Sequence, residues 1–263
     1  MNLKGGFALM KKSLFGFTTS RGFFWTLAFG WMMMPLVYML VWIAAAGSSG
    51  IGAFSKNDFI NYYIILIVVN QLTYPVSNWT VGDSIFSGDF SNWLLRPLPP
   101  VYEAIASDLA VKVICVPFAF VFSVLLTLIF GLTISCTPQQ ILCFLLALLL
   151  AQILRFTVGY ALALLALKKA QTNAILNVNN TLVLLFSGQL IPTVLLPDFI
   201  ERINFFLPFR YMLGFPIEVL LGKVGGSALL TGFIVQAVWI VLSLLLRKII
   251  WKTGMKYYSA VGA

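Results

Sequence analysis

The chain has 263 residues, 60% of them hydrophobic and only 10% charged, with a formal net charge of +9. Soluble domains carry about 45–50% apolar and about 25% charged residues, so this composition belongs in a membrane. Histidine is absent altogether, which sets aside histidine-ligated zinc hydrolases, histidine acid–base catalysis and histidine-ligated haem. Long apolar runs without two-residue alternation argue against an outer-membrane barrel. A spanning helix needs roughly 20 apolar residues. The expectation is a single all-α polytopic domain over residues 1–263 with six transmembrane helices.

Residues 1–22 interleave Lys4, Lys11, Lys12 and Arg21 with Phe7, Met10, Leu14 and Phe17 on one helical stripe, the pattern of an amphipathic helix lying in the membrane interface. The first span is expected over 23–46, followed by a Gly/Ser loop over 47–57. The second covers 58–79 and carries Asn70, Gln71 and Asn78. Residues 82–112 then form the longest polar interruption and hold Asp83, Asp89, Glu103 and Asp108, four of the eight acidic residues. Phe86, Phe90, Leu94 and Leu95 recur there at helical spacing until Pro97 and Pro99-Pro100 stop the helix. A compact apolar helix between two spans reads as a docking handle for a soluble partner, with a new helix starting near Val101.

The third span is expected over 109–134, with a kink at Pro117. An uncharged turn over 135–140 leads to the fourth, 141–167, which carries Gln152 and Arg155 near its middle and is closed by Lys168 and Lys169. The fifth starts near Thr172 and places Asn173, Asn177 and Asn180 on one face before an apolar stretch to Phe186. In residues 188–222, Gly188, Pro192, Pro197, Pro208, Pro216 and Gly222 cut the chain into short apolar pieces with several charges. Broken helix at membrane depth needs protein or a watery cavity for its hydrogen bonds, so a re-entrant pair of half-helices fits better than a loop. The sixth span is expected over 228–246, before Arg247, Lys248, Lys252 and Lys256.

Lys and Arg favour the cytoplasmic side of short loops. With both termini and the handle inside, twelve of the seventeen basic residues lie there. The positive charge therefore serves topology and lipid headgroups, not nucleic acid. Cys115, Cys136 and Cys143 read as small buried hydrophobes. No P-loop and no pair of intramembrane carboxylates is present, so the energy source lies outside this chain.

Arg155 is the one charge placed near mid-membrane. Such a residue is costly there. It either serves a path or a partner subunit, or bonds to local carbonyls. The asparagine face glues helices, is simply exposed at the inner interface, or contacts substrate along a path. Asp108 and Lys112, four residues apart, read as an interfacial ion pair.

Three blocks of this sequence resemble the six-helix permease subunits of ATP-binding-cassette exporters of the type-2 class, in the branch with no large external domain. The first is Gly88-Asp89-Phe90 followed by Leu94-Leu95-Arg96-Pro97-Leu98, with Asp83 upstream where that family often has glutamate. The second runs Ser187-Gly188-Gln189-Leu190-Ile191-Pro192, Leu196-Pro197, Leu207-Pro208-Phe209, Pro216 and Gly222. The third, weaker block is Gln236, Trp239, Gly254, Tyr257 and Gly262. The resemblance implies an interfacial elbow helix over 1–22, a coupling helix within 82–100 and a re-entrant hairpin over 188–222. Coupling to the ATPase would fall to Asp83, Phe86, Gly88, Asp89, Phe90, Leu94, Leu95, Arg96 and Pro97. Gly188, Pro192, Pro197, Pro208 and Phe209 would form the gate, and Arg155, Asn173, Asn177 and Asn180 are candidates to line the path. The partners implied are two copies of an ATPase that bind ATP and Mg, a second permease, identical or a sister, and membrane lipids. No cofactor is expected on this chain. The location implied is a bacterial-type inner membrane, and the cargo a hydrophobic or amphiphilic molecule. A membrane-embedded lipid or isoprenoid enzyme, and a scaffold or channel subunit, are the alternatives; the former lacks any clustered acid, base or metal site in the sequence.

Overall fold

The computed structural model describes residues 3–19, 21–52, 54–131, 136–168 and 172–258, with the backbone alone at 23, 27 and 77. Among them the chain is helical and forms no strand. Helix α1 (Leu3–Thr19) leads into α2 (Arg21–Ala46), α3 (Lys56–Thr73), α4 (Ser77–Ser87) and the five-residue α5 (Phe90–Leu94). Then follow α6 (Val101–Phe130), α7 (Pro138–Ala163), α8 (Asn173–Phe186), α9 (Asp198–Phe206), α10 (Gly214–Leu220) and α11 (Gly226–Gly254).

Among the described residues, five stretches are long and apolar enough to cross a membrane: α2, α3 with α4, α6, α7 with the 3₁₀ turn Leu164–Leu167, and α11. The expected fifth span corresponds to α8, whose 14 residues extend about 21 Å against a hydrocarbon core of about 30 Å.

Helix α3 is the axis of the bundle. Its residues from Phe59 to Val69 are buried almost without interruption, and α2, α6, α7 and α10 pack around it. A helix apolar on every side belongs in the middle of such a bundle. Outer helices instead turn large side chains such as Met34, Leu128, Leu142 and Leu230 outward, as a lipid-facing surface requires.

Two helices begin on capping boxes that set boundaries earlier than the apolar runs do. Ser55 and Asp58 cap α3, so the helix opens at Lys56 inside the expected loop. Thr137 and Gln140 cap α7, with Pro138 in its first turn, so the expected turn over 135–140 is already helical from Pro138. The new helix after the handle does start at Val101, and α6 runs through Pro117. Residues 132–135, Lys169 and Gly262 lie outside the described residues.

The second span departs from expectation. It breaks after Thr73, where Tyr74 takes an extended conformation (φ −64°, ψ 121°). Pro75 explains the break, because a proline pushes its predecessor out of the helical region and offers no N–H. Helix α4 restarts at Ser77 and carries the chain on into the handle.

Helix α1 lies against α6 and α2. Leu14 and Phe17 pack beside Val76, Val111 and Ile114, whereas Phe7, on the same stripe, is exposed.

Candidate functional site

The handle is two pieces, not one helix. Gly88 ends α4 in the left-handed region at φ 86°, and α5 follows at a new angle. The expected single stripe of Phe86, Phe90, Leu94 and Leu95 is therefore broken, since residues on either side of Gly88 no longer share a helix axis. Phe86 and Leu95 point outward, Leu95 being 84% exposed. Asp83 and Asp89 are exposed too, and Asp89 accepts a hydrogen bond from Ser87 Oγ at 2.9 Å. Leu94 is half-buried and Pro97 exposed.

Phe90 and Arg96 depart from the coupling role expected of them. Phe90 is fully buried within the chain, its ring 5.7 Å from that of Tyr258, 6.2 Å from Trp251 and 5.6 Å from Trp93. Ser91 Oγ shares a 2.9 Å hydrogen bond with the Tyr258 hydroxyl. The handle is thus clamped to the C-terminal end of α11. Arg96 Nη1 lies 2.5 Å from Glu103 Oε2, and Lys12 Nζ donates to the other oxygen of the same carboxylate at 3.1 Å. One acid on α6 fixes both the handle's exit and α1.

A second polar cluster sits where α3 breaks. Arg155 on α7 donates through Nη1 to Asn70 Oδ1 (2.8 Å) and Thr73 Oγ1 (3.0 Å), and its guanidinium lies 5.2 Å from the Tyr74 ring centre. On α6, the Asp108 carboxylate accepts from the Lys112 ammonium and from Gln152 Nε2 at 2.8 Å, and takes the Val76 backbone N–H as well. These groups grip both sides of Pro75. Asp108 and Lys112 are buried inside the bundle, not interfacial as expected, because α1, α2, α3 and α4 pack around α6 and Gln152 reaches in from α7. Arg155 is also enclosed, only 5% exposed, with its guanidinium turned to the bend. Of the expected asparagine face, Asn173 and Asn177 are exposed and Asn180 half-buried. A cavity of about 310 Å³ opens between α7, α8 and α11, lined by apolar residues such as Val158, Leu182 and Leu246 together with Asn179 and Ser243.

The broken segment has its carbonyls met by side chains from three long helices. Tyr62 donates its hydroxyl to Gly188 O (2.8 Å), and Tyr63 and Trp42 both donate to Leu190 O (2.7 and 2.8 Å). Gln236 Nε2 reaches Tyr211 O and Ala147 O at 3.0 Å, and Trp239 Nε1 reaches Phe206 O at 2.9 Å. Irregular backbone is tolerated at membrane depth only where such partners exist. Gly188 sits at φ 89°, and a Cβ there would lie 2.3 Å from the Tyr62 hydroxyl. Pro192 and Pro208 are buried and Pro197 is exposed, while Phe209 stacks on Phe186 at 6.2 Å.

Inside this segment, Glu218 is almost completely buried. It accepts from Arg210 Nη2 at 2.7 Å and from the Thr193 hydroxyl. Burial works against the charge on Arg210, but Glu218 outweighs it, so the guanidinium is held above its ordinary pKa. Glu218 on α10 thus holds Arg210, in the turn after α9, and Thr193, in the turn before it. The sequence shows both charges but nothing in their eight-residue spacing announces a pair. The aromatic donors Trp42, Tyr62 and Tyr63 were likewise missed, since they look like ordinary membrane aromatics.

Comparison with known proteins gives one family. A family model described as an ABC-2 family transporter protein matches residues 29–262. No curated protein matches the chain.

Proposed function

Because the chain belongs to the ABC-2 family of transporters, we propose that it is the permease subunit of an exporter driven by a separate ATPase. The observation that carries the coupling is the handle itself. Leu95 and Phe86 present apolar side chains outward at the polar end of a membrane bundle, beside exposed Asp83 and Asp89. An exposed apolar pair rimmed by charge suits a protein groove, with Gly88, Leu94 and Pro97 setting its shape. Phe90 supports that surface from behind, held on Trp251 and Tyr258.

In this reading two permeases, identical or sisters, enclose the path, and two ATPase copies hold ATP and Mg below. Helix α8 supplies the remaining crossing, the fifth in chain order. The handle and both termini face the cytoplasm of a bacterial-type inner membrane, in keeping with the excess of Lys and Arg at that end. ATPase closure moves α5, α4 carries the displacement to the bend at Pro75, and the Asp108 and Arg155 cluster passes it to α6 and α7. Residues 188–222, with Gly188, Pro192, Pro197, Pro208 and Phe209, close the other end. Asn173, Asn177 and Asn180 lie on a face free to meet the path. The apolar cavity beside α8 favours a hydrophobic or amphiphilic cargo.

Purification of the tagged chain in nanodiscs, with ATPase activity read on the eluate, tests the reading. A stoichiometric ATPase that is lost on Leu95→Asp but retained on Phe199→Asp is expected. A wild-type chain that purifies alone and inert from its native membrane would reject it.

A further inference from the structure

The end of the bundle opposite the handle holds two adjoining cavities, of about 480 and 350 Å³, between α9 and the start of α11. Glu201, Phe205 and Arg210 line both, Lys223 borders the larger and Arg202 the smaller. Glu218 takes only the Nη2 side of the Arg210 guanidinium, and Nη1, which is not enclosed as Nε is, has no acceptor among the described residues. A guanidinium nitrogen that borders a cavity with its N–H groups unpaired is open to an acceptor from outside the chain. Lys223 lies 3.3 Å from Asp58 Oδ1 at one N–H, and an ammonium has three. Glu201 makes no ion pair among the described residues, though it is close enough to Arg210 to stabilise its charge. The site therefore offers donors for an anionic group and a carboxylate for a cationic one.

Its depth is set by α9. Phe199, Ile203 and Phe206 form an exposed apolar stripe on this nine-residue helix, the mark of a helix lying at a membrane interface. Val194 borders the larger cavity and Phe206 the smaller, and both are exposed apolar side chains. An occupant fits if it joins a charged head to apolar chains.

We propose that this site binds a phospholipid with a primary-amine headgroup, of the phosphatidylethanolamine type. The phosphodiester accepts from Arg210 Nη1–H and the Lys223 ammonium, the headgroup ammonium donates to Glu201, and the acyl chains lie against Val194 and Phe206. A primary ammonium can donate hydrogen bonds to a carboxylate, whereas a quaternary choline relies on an aromatic face. The Phe205 face is already taken by Arg210 at 5.8 Å, which disfavours choline. Phosphatidylglycerol has no cation for Glu201. The proposal does not depend on ATP coupling.

Native mass spectrometry of the delipidated full chain tests it by titration with phosphatidylethanolamine, phosphatidylcholine and phosphatidylglycerol of equal chain length, and with glycerophosphoethanolamine. Wild type should prefer the ethanolamine lipid by about tenfold. Glu201→Gln should erase that preference, and Lys223→Met should weaken all three lipids. Both side chains reach solvent, so these variants fold. Equal binding of the three lipids, or a preference untouched by Glu201→Gln, overturns the proposal. Glycerophosphoethanolamine binding as tightly as its lipid also overturns it, by making the ligand a soluble one.

Discussion

Replacing Glu218 by glutamine keeps the side chain's size but leaves Arg210 without its counter-charge. Arg210 and Glu218 have side-chain exposures of 12% and 2%, so water recovers little of the loss. Removing one partner of a buried pair costs about 3–5 kcal/mol. Nearby Glu201 and partial rehydration of Arg210 bring the expected figure to about 2–4 kcal/mol. For a chain of this size about 1 kcal/mol corresponds to about 2–4 °C in melting temperature, so a fall of roughly 4–16 °C is expected. Intrinsic tryptophan fluorescence during heating in nanodiscs, at one fixed scan rate, reads it. Replacing both partners by apolar residues, Glu218→Leu with Arg210→Met, should restore more than half of the loss, because no charge is then left buried alone. A Glu218→Gln variant melting within about 1 °C of wild type, or a double variant worse than the single, would refute the reasoning.

The two tyrosines that hold the broken segment should differ. Tyr62→Phe leaves the Gly188 carbonyl without its donor and should cost about 1–3 kcal/mol, whereas Tyr63→Phe leaves Trp42 still donating to Leu190 O and should cost under about 1 kcal/mol; melting of the two side by side checks the order. Phe90→Ala empties a fully buried site, and should lower stability by about 3–5 kcal/mol. Because it also frees the handle from Trp251 and Tyr258, cleavage by a protease between residues 88 and 100 should quicken, and unchanged cleavage would count against the clamp.

Composition made the membrane helices readable, because an apolar run of that length has few other uses. Their boundaries were less readable, although the signals were present. Ser55 with Asp58 and Thr137 with Gln140 are capping boxes, but each lies outside the apolar run that marks its span. Gly88 was read as part of a motif when it is also a helix terminator, and that misreading put Phe90 on the outside. The break at Pro75 follows from proline chemistry but was hidden by the apolar residues around it. The gate's breaks were visible in its glycine and prolines, while the hydrogen bonds that make it tenable come from α2, α3 and α11, far away in sequence. Arg155 shows the same limit. Its burial is a property of three helices together, and one helix's sequence cannot show which neighbours close over it.

The central claim is that an ATPase seats on the handle, and a photo-crosslinking residue placed at single positions in native membranes tests it most directly. Positions 95 and 86, where the side chains are exposed, should each capture a nucleotide-binding subunit, while position 199, at the opposite end of the bundle, should capture none. Capture from 199, or none from either 95 or 86 in membranes that contain the ATPase, would contradict the account.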